Sequence, residues 1–318
     1  MTRKTNTLSA NVYTHLIAII SFCLVVLPGA VHAASPIPLK QVKHLFTLTG
    51  NKTSPLSLPS DVAVDPDGNI YVVDSGNHRV AVFDQDGEPV SFISQKGHAR
   101  ADLFNPVGID TDNKNIYVAD KDNHRIQVFA HNGTYIKSIA LQQGKKKIRP
   151  VDVVVNKKTK QVYITGNNNH QLMVYDLNGK AITHWGGEGT NRGELRYPAT
   201  LALYNNNIYV VDVLNSRVQV FDNKGELQVI TGEWGVSPGQ LFRPKGVALD
   251  KQGNIYISDS YFGLIQVFAN DSRFRSVLAD KDTPHKFNSP VGITIDQHNR
   301  LYVCEMLSNR VSVFRLEP

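Results

Sequence analysis

Asp61 and Asp152 are the residues of this chain with the clearest capacity for chemistry, because each follows a proline by two residues in similar segments. If those segments fold alike, the two carboxylates come together, and such a pair can hold a cation or act as general acid and base. Thr200 has the same position in a third segment. An aspartate in such a place more often accepts hydrogen bonds from nearby backbone N–H groups, so both roles stay open.

Histidine and cysteine offer little further catalytic chemistry. Beyond residue 34 the one cysteine is Cys304, which excludes an internal disulfide and a cysteine-based zinc site. His78, His124 and His170 recur at one position of a repeat, which is typical of a structural turn residue. No Ser-His-Asp arrangement, phosphate-binding glycine loop or haem-attachment motif is visible. We therefore predict no catalytic residue, no metal and no cofactor.

The segments that carry these residues form a six-fold repeat of about 46 residues, a period typical of solenoids and propellers. The blocks open at Pro59, Pro106, Pro150, Pro198, Pro244 and Pro290. Within the first block, residues 62–64, 70–73 and 80–83 are runs of β-branched and aromatic residues separated by Asp-Gly turns. A fourth, less regular run follows in each block except the last. Four antiparallel strands per block predict the blade of a propeller.

The predicted fold is thus an all-β, six-bladed β-propeller of four-stranded antiparallel blades, spanning residues 34–318. The last block ends after its third strand, whereas residues 42–49 form a spare strand ahead of the first block. We expect this N-terminal strand to complete the last blade. Such closure ties the two ends of the propeller together and covers an open sheet edge.

The motifs of the fifth block carry a family resemblance. They read PKGVALD at residues 244–250, GNIYISD at 253–259 and IQVF at 265–268, and a glycine-rich linker occupies residues 185–198. This pattern resembles the NHL-repeat family of six-bladed propellers. The resemblance implies an interaction platform, as in most members, or an enzyme, as in a few.

One enzyme group among these relatives is a zinc-dependent lyase whose three histidine ligands each follow a block-opening proline. In this sequence those six positions hold no metal ligand. They are Ser60, Val107, Val151, Ala199, Lys245 and Val291. The resemblance to that enzyme therefore fails at its metal site.

Comparison of the six copies identifies a second recurring pair, an acid and an arginine five residues apart. The pair occurs in blades 1, 2, 4 and 6, as in Asp74 and Arg79, whereas blade 3 lacks both and blade 5 keeps only Asp259. We interpret it as an ion pair that braces the turn between strands two and three, worth ~0.2–1 kcal/mol near a surface. Departures from a scaffold rule tend to mark functional sites, which directs attention to blades 3 and 5.

The turns between strands two and three and the linkers between blades must share one face, here named the top face, because antiparallel turns alternate ends. On this face the turns of blades 1–3 are polar, those of blades 4–6 are apolar or aromatic, and basic residues flank blades 3 and 5. Contiguous exposed apolar residues with arginine indicate a contact surface; the alternative is that these side chains fold inward. The candidate binding residues are Lys145, Lys146, Lys147, Arg149, His170, Leu214, Arg243, Lys245, Tyr261, Phe262, Met306 and Leu307. Asp61, Asp152 and Thr200 are expected at the mouth of the central channel on the same face.

Residues 1–33 read as a cleaved secretory signal peptide, with Arg3 and Lys4 ahead of an apolar run at 16–27 and small residues before a cut after Ala33. The apolar run falls short of the ~20 residues of a membrane-spanning helix, so an uncleaved anchor is the weaker alternative. The formal net charge of +6 includes that leader and is too mild to indicate nucleic-acid binding.

The sequence thus predicts an exported, periplasmic or secreted binding or scaffold module. Its partner would be a protein, a peptide or an envelope ligand, held by the top face of blades 3–6, with no nucleic acid and no stable membrane span after cleavage. The alternative is a propeller enzyme, lyase-like or lactonase-like, with its site at the channel mouth.

Overall fold

The computed structural model describes residues 37–317, and each block-opening proline in it is the first residue of a strand. Proline is tolerated at that position because it needs no ladder N–H there. Three strands precede the first blade: β1 (Leu39–Leu48), β2 (Gly50–Asn51) and β3 (Ser54–Pro55). The signal-peptide prediction and the first residues of the predicted propeller domain lie outside the described residues.

Six blades follow in chain order. Blade 1 comprises β4 (Pro59–Val64), β5 (Ile70–Asp74), β6 (Arg79–Phe83) and β7 (Pro89–Ile93). Blade 2 comprises β8 (Pro106–Thr111), β9 (Asn115–Asp120), β10 (Arg125–Ala130) and β11 (Tyr135–Ala140), followed by the hairpin β12 (Gln142–Gln143) and β13 (Lys146–Lys147). Blade 3 comprises β14 (Pro150–Asn156), β15 (Gln161–Gly166), β16 (Gln171–Asp176) and β17 (Ala181–Gly186).

Blade 4 comprises β18 (Pro198–Tyr204), β19 (Asn207–Asp212), β20 (Arg217–Phe221) and β21 (Leu227–Thr231). Blade 5 comprises β22 (Pro244–Leu249), β23 (Ile255–Asp259), β24 (Leu264–Phe268) and β25 (Phe274–Asp280), with the short β26 (Thr283–Pro284) beside it. Blade 6 comprises β27 (Pro290–Ile295), β28 (Arg300–Glu305) and β29 (Arg310–Leu316). The all-β, six-bladed prediction is confirmed.

Blade 6 is completed by β1, as expected. This strand pairs antiparallel with β29, from Val42 opposite Leu316 to Leu48 opposite Val311. Its first residues also pair in parallel with β25, Leu39 opposite Val277, which the sequence did not indicate. Since β1 lies between the outer strands of two blades, blades 5 and 6 become one nine-stranded sheet.

The turn after the second strand explains the recurring histidines. In blades 1, 2, 4 and 6 this turn is a short 3₁₀ helix: Ser75–Asn77, Lys121–Asn123, Val213–Asn215 and Met306–Ser308. Each helix ends at a left-handed residue, and the corresponding residue of blade 3, His170, has φ 56°. Histidine and asparagine are among the residues that tolerate this conformation. The structural interpretation of His78 and His124 is confirmed by their place at these helix ends.

The core lies between neighbouring blades and is built from the middle strands. Tyr71 and Tyr256 are fully buried in it. Each donates its hydroxyl proton to the aspartate that opens the preceding turn, Asp65 at 3.0 Å and Asp250 at 3.1 Å. These turns lie at the other ends of the strands, on the face here named the bottom face. Within residues 37–317, no helix has the length and apolar character to cross a membrane.

Candidate functional site

Asp61 and Asp152, which the sequence predicted at the channel mouth, line the cavity of the central channel. Their side chains are buried, at 6% and 3% exposure, against the inner strands. Asp61 Oδ2 accepts the backbone N–H of Ile109 at 3.0 Å, and Asp152 Oδ2 accepts that of Leu201 at 2.7 Å. These bonds confirm the favoured interpretation, in which each aspartate satisfies backbone donors of the next blade.

Glycine in the preceding blade makes room for each of these aspartates. A Cβ on Gly108 would lie 2.4 Å from Asp152 Oδ1, and a Cβ on Gly292 would lie 2.3 Å from Asp61 Oδ1. Each carboxylate therefore lies flat against one blade and binds the N–H of another, linking three consecutive blades. This packing buries the carboxylates below the top face.

Thr200 has a different place from the two aspartates. Its hydroxyl donates to the backbone oxygen of Lys245 at 2.7 Å, and it is not among the residues that line the channel cavity. It therefore couples blade 4 to blade 5, and its place in one site with Asp61 and Asp152 stays a prediction.

The cavity of the channel, about 280 Å³, is lined by the inner strands of all six blades and includes both aspartates in its wall. A third carboxylate, Asp110, lines it and accepts the N–H of Val155 at 2.7 Å. Sequence comparison missed Asp110 because it stands four residues after its proline and no other block has an acid there. Asp61, Asp110 and Asp152 are named the channel carboxylates below.

Burial raises the pKa of all three channel carboxylates. It raises the pKa of Asp61 to about 7 and that of Asp110 to about 6. The pKa of Asp152 is raised well above its ordinary value by burial and by the charge of Asp61. The charges of Asp61 and Asp152 act on each other, so a proton taken up by either carboxyl relieves the repulsion between them.

These shifts predict a pH dependence of stability. A carboxyl whose pKa is raised on folding binds more protons in the folded state than in the unfolded state, so stability is highest below the unfolded pKa of about 4 and falls as pH rises towards 7. We expect the free energy of unfolding to fall by the order of 1–3 kcal/mol between pH 5 and 8 from this effect, and Asp61→Asn to reduce that fall. Urea titrations across this range measure it.

The amide introduced by Asp61→Asn would keep an oxygen for the Ile109 N–H, so the variant isolates the charge. Histidines contribute a slope of the opposite sign, because burial lowers the pKa of His78 and His285; they are common to both proteins and cancel in the comparison. Asp271→Asn, at an exposed acid, is the matched control. Equal pH slopes for wild type and Asp61→Asn would contradict the raised pKa of Asp61.

Among residues 37–317, no group of three or more His, Cys, Asp or Glu side chains is arranged to hold a metal ion. The channel carboxylates are thus placed for hydrogen bonding between blades and for holding a proton. A proton held beside a cavity is also the arrangement that acid–base chemistry would need.

The acid–arginine pairs are present in all four blades whose sequences predicted them. The arginine Nε lies 2.7–2.8 Å from the carboxylate in each pair, and the acid is 0–1% exposed in every case. The ~0.2–1 kcal/mol expected of a surface ion pair therefore does not apply to these pairs, because the acids are buried and also accept backbone N–H groups. Asp74, for example, accepts the N–H of Ser57 at 2.6 Å.

In blade 5, which lacks the arginine, the acid accepts backbone N–H groups of the turn in addition to those of the linker. The buried Asp259 accepts the N–H groups of Phe242 at 2.7 Å and Arg243 at 3.0 Å in the linker, and that of Tyr261 at 3.0 Å in the turn. One carboxylate thus holds the linker and the turn side by side. The departure of blade 5 from the repeat has a structural consequence on the top face.

Four aromatic side chains on this linker and turn form a cluster, here named the aromatic cluster: Trp234, Phe242, Tyr261 and Phe262. Ring centroids are 4.3 Å apart for Phe242 and Tyr261, 5.4 Å for Tyr261 and Phe262, and 6.3 Å for Trp234 and Phe242. Trp234 is 69% exposed and Tyr261 61%. The sequence prediction contained Tyr261 and Phe262 but missed Trp234 and Phe242, which belong to the linker before Pro244.

The other predicted top-face residues are distributed unevenly. Leu214 and Leu307 are exposed and Met306 is half-buried. Lys145, Lys146 and Lys147 are exposed on the β12–β13 hairpin, where Lys146 donates to Asn168 O at 2.6 Å. His170 is half-buried, and its Nδ1 accepts the N–H of Tyr197 at 3.1 Å, so its role is to brace the linker.

A group of cations gathers where the inner strands reach the top face. It consists of Lys121, Arg149, Arg243 and Lys245, here named the basic cluster. Arg149 pairs with Asp122. Burial lowers the pKa of Lys245, and the charges of Arg243 and Lys121 lower it further. Lys121, from blade 2, was missed by the sequence prediction because its neighbour Lys245 belongs to blade 5.

Comparison with known proteins agrees with this architecture. Residues 56–83 and 105–129 match the NHL repeat model, and residues 188–316 match a model described as a 6-bladed beta-propeller. A search of curated proteins finds no match.

Solved structures with this fold include proteins of several kinds. A streptogramin B lyase is 13% identical, with 86% of this chain and 98% of the other covered at a TM-score of 0.63. A gluconolactonase from Xanthomonas campestris is 15% identical, with 90% and 96% covered at 0.67. A protein of unknown function from Bacteroides thetaiotaomicron is 17% identical, with 88% and 75% covered at 0.65. At these identities the likeness shows the fold alone, and together with the repeat matches it identifies the chain as an NHL-repeat six-bladed β-propeller.

Proposed function

We propose that this propeller is a binding module that recognises a peptide or protein ligand through the top face of blades 3–6. The observation that carries the proposal is the aromatic cluster, in which four rings touch and two are more than half exposed. Exposed contiguous aromatic surface of this kind is costly for a soluble protein unless a ligand covers it. Tyrosine and tryptophan are also the residues that contribute most to interfaces.

The surroundings of the cluster fit a preorganised contact site. The Asp259 carboxylate fixes the backbone of both aromatic segments, so little conformational entropy is lost when a ligand binds. Leu214 on blade 4 and Leu307 on blade 6 extend the exposed apolar surface around the same face. The leader at residues 1–33 supports the further proposal that the module acts outside the cytoplasm.

The test is peptide selection from a displayed library on the immobilised protein, followed by calorimetric Kd measurements on variants. We expect Tyr261→Ala/Phe262→Ala to weaken the selected peptides at least ten-fold, the loss typical of interface hot spots. The matched control is Val90→Ala/Ile182→Ala, which removes exposed apolar side chains from the outer strands β7 and β17. Equal losses in both variants, or a selection that enriches nothing, would contradict the proposal.

A propeller enzyme of the lyase or lactonase kind is the second candidate, and the observation that favours it is that Asp61 and Asp152, two carboxyls with raised pKa values, line the channel cavity. Binding is better supported, because these carboxylates already accept backbone donors. The Asp61→Asn variant separates the two functions. Ligand binding at the top face would survive it, whereas acid–base chemistry in the channel would not.

A further inference from the structure

The basic cluster lies over the upper end of the central channel. Lys245 directly follows Pro244, at the top of the inner strand of blade 5, and Lys121 opens the turn between strands two and three of blade 2. Blades 2 and 5 face each other across a six-bladed ring, so these two lysines approach from opposite sides of the channel. The charge of Lys121 also contributes to lowering the pKa of Lys245, which agrees with this placement.

Positive charge is in excess at this place. Of the four cations, Arg149 is paired with Asp122, and Asp122 also accepts the side-chain N–H of Asn105 at 2.9 Å. Within residues 37–317, Lys121, Arg243 and Lys245 form no ion pair. Two of these three, the lysines, are half-buried. Holding unpaired ammonium groups partly out of water costs free energy, which an anion placed between them would recover.

The aromatic cluster adjoins this charge. Phe242 and Arg243 are consecutive residues, and Asp259 binds the N–H of both. One linker therefore carries both a ring of the aromatic cluster and a cation of the basic cluster. A ligand that uses both surfaces must carry an anionic group next to an apolar side chain.

We propose that the ligand is an acidic peptide segment, whose carboxylate binds between Lys121, Arg243 and Lys245 while a neighbouring apolar side chain covers the aromatic cluster. A peptide fits this surface because its backbone can carry an anionic group and an apolar side chain next to each other. The inference rests on the proposed function and adds to it the chemistry of the ligand. It assigns Lys121, a residue of blade 2, to the binding face of blades 3–6.

The first experiment measures peptide binding through Trp234 fluorescence in a Trp185→Phe background, which leaves Trp234 as the one tryptophan of the chain. The probes are two acetylated hexapeptides, Glu-Phe-Glu-Leu-Glu-Phe and its Gln-for-Glu counterpart. We expect the Glu peptide to bind at least ten-fold more tightly, and its Kd to weaken as salt rises. Lys121→Gln/Lys245→Gln should reduce the affinity of the Glu peptide to that of the Gln peptide.

The matched control is Lys180→Gln/Lys224→Gln, which removes the same charge from exposed turns between strands three and four and should change Kd less than about two-fold, because exposed charges at a distance are screened. Equal binding of both peptides would leave the binding module standing and overturn the anion inference. Equal effects of the two double lysine variants on Kd would also overturn it, because they would show that only the net charge of the protein affects binding.

A second experiment separates the anion site from peptide binding. Citrate is titrated into protein whose lysines carry ¹³C-methyl groups, with Lys121→Arg and Lys245→Arg used to assign the signals. We expect saturable shifts at Lys121 and Lys245 and none at the exposed Lys180, and the same shifts in Tyr261→Ala/Phe262→Ala. Citrate binding without peptide binding would overturn the proposed function and keep an anion site. Failure of citrate to shift either lysine would overturn the anion site itself.

Discussion

Removal of β1 is expected to abolish the cooperative unfolding transition or to lower Tm by about 10 °C or more, the shift that a loss of several kcal/mol produces in a domain of this size. The strand supplies the fourth strand of blade 6, and Leu48, 1% exposed, enters the core beside Val311. Its other end clasps blade 5, where Gln41 donates to Lys281 O at 2.7 Å. Without it, the outer strands of two blades become open edges.

The measurement is thermal denaturation of a chain that lacks residues 37–49, compared with one that lacks residues 1–36 and keeps β1. A synthetic peptide of residues 37–50 in excess should restore the transition, because the missing element is a single strand. If the truncated protein proves insoluble, a pair of point variants serves. Leu48→Asp should destabilise strongly and Lys43→Asp, at an exposed position of the same strand, should not. An unchanged Tm in the deleted protein would refute the closure.

Asp212→Ala is expected to cost about 3–5 kcal/mol of stability, because it removes a buried charge from a network that leaves its partners unpaired. The carboxylate is 0% exposed. It accepts the N–H of Arg196 at 2.6 Å and the side chains of Asn215 and Arg217, both at 2.8 Å. Urea unfolding gives the free energy, and an unchanged m value would show that the unfolded state is not the source of the change.

Two comparisons make the result specific. Arg217→Ala should cost less than Asp212→Ala, because the carboxylate keeps its backbone and amide donors. Asp271→Ala, at an exposed ion pair with Arg273, should cost less than about 1 kcal/mol. Equal costs at Asp212 and Asp271 would mean that the buried pairs of the repeat contribute no more than surface ion pairs.

The sequence by itself determined the architecture. Strand pattern, turn residues and the repeat period are local properties, and the chain contains six copies of them. The blades and the closing strand could therefore be predicted without knowledge of any long-range contact. The acid–arginine pairs were equally accessible, because their members are five residues apart on adjoining strands. The contribution of these pairs to stability could not be predicted, since only the folded structure shows that the acids are buried.

The tertiary structure decided how residues of different blades meet. The depth of Asp61 depends on the missing Cβ of Gly292, which comes from the opposite end of the chain. The effect of the Lys121 charge on the pKa of Lys245 depends on the ring that sets blade 2 opposite blade 5. Trp234 and Phe242 join the aromatic cluster because the linker packs beside the turn of blade 5, where Asp259 binds the N–H groups of both Phe242 and Tyr261. A repeat pattern specifies each blade, but closure of the ring determines which residues of different blades lie next to each other. The candidate site consists of such residues.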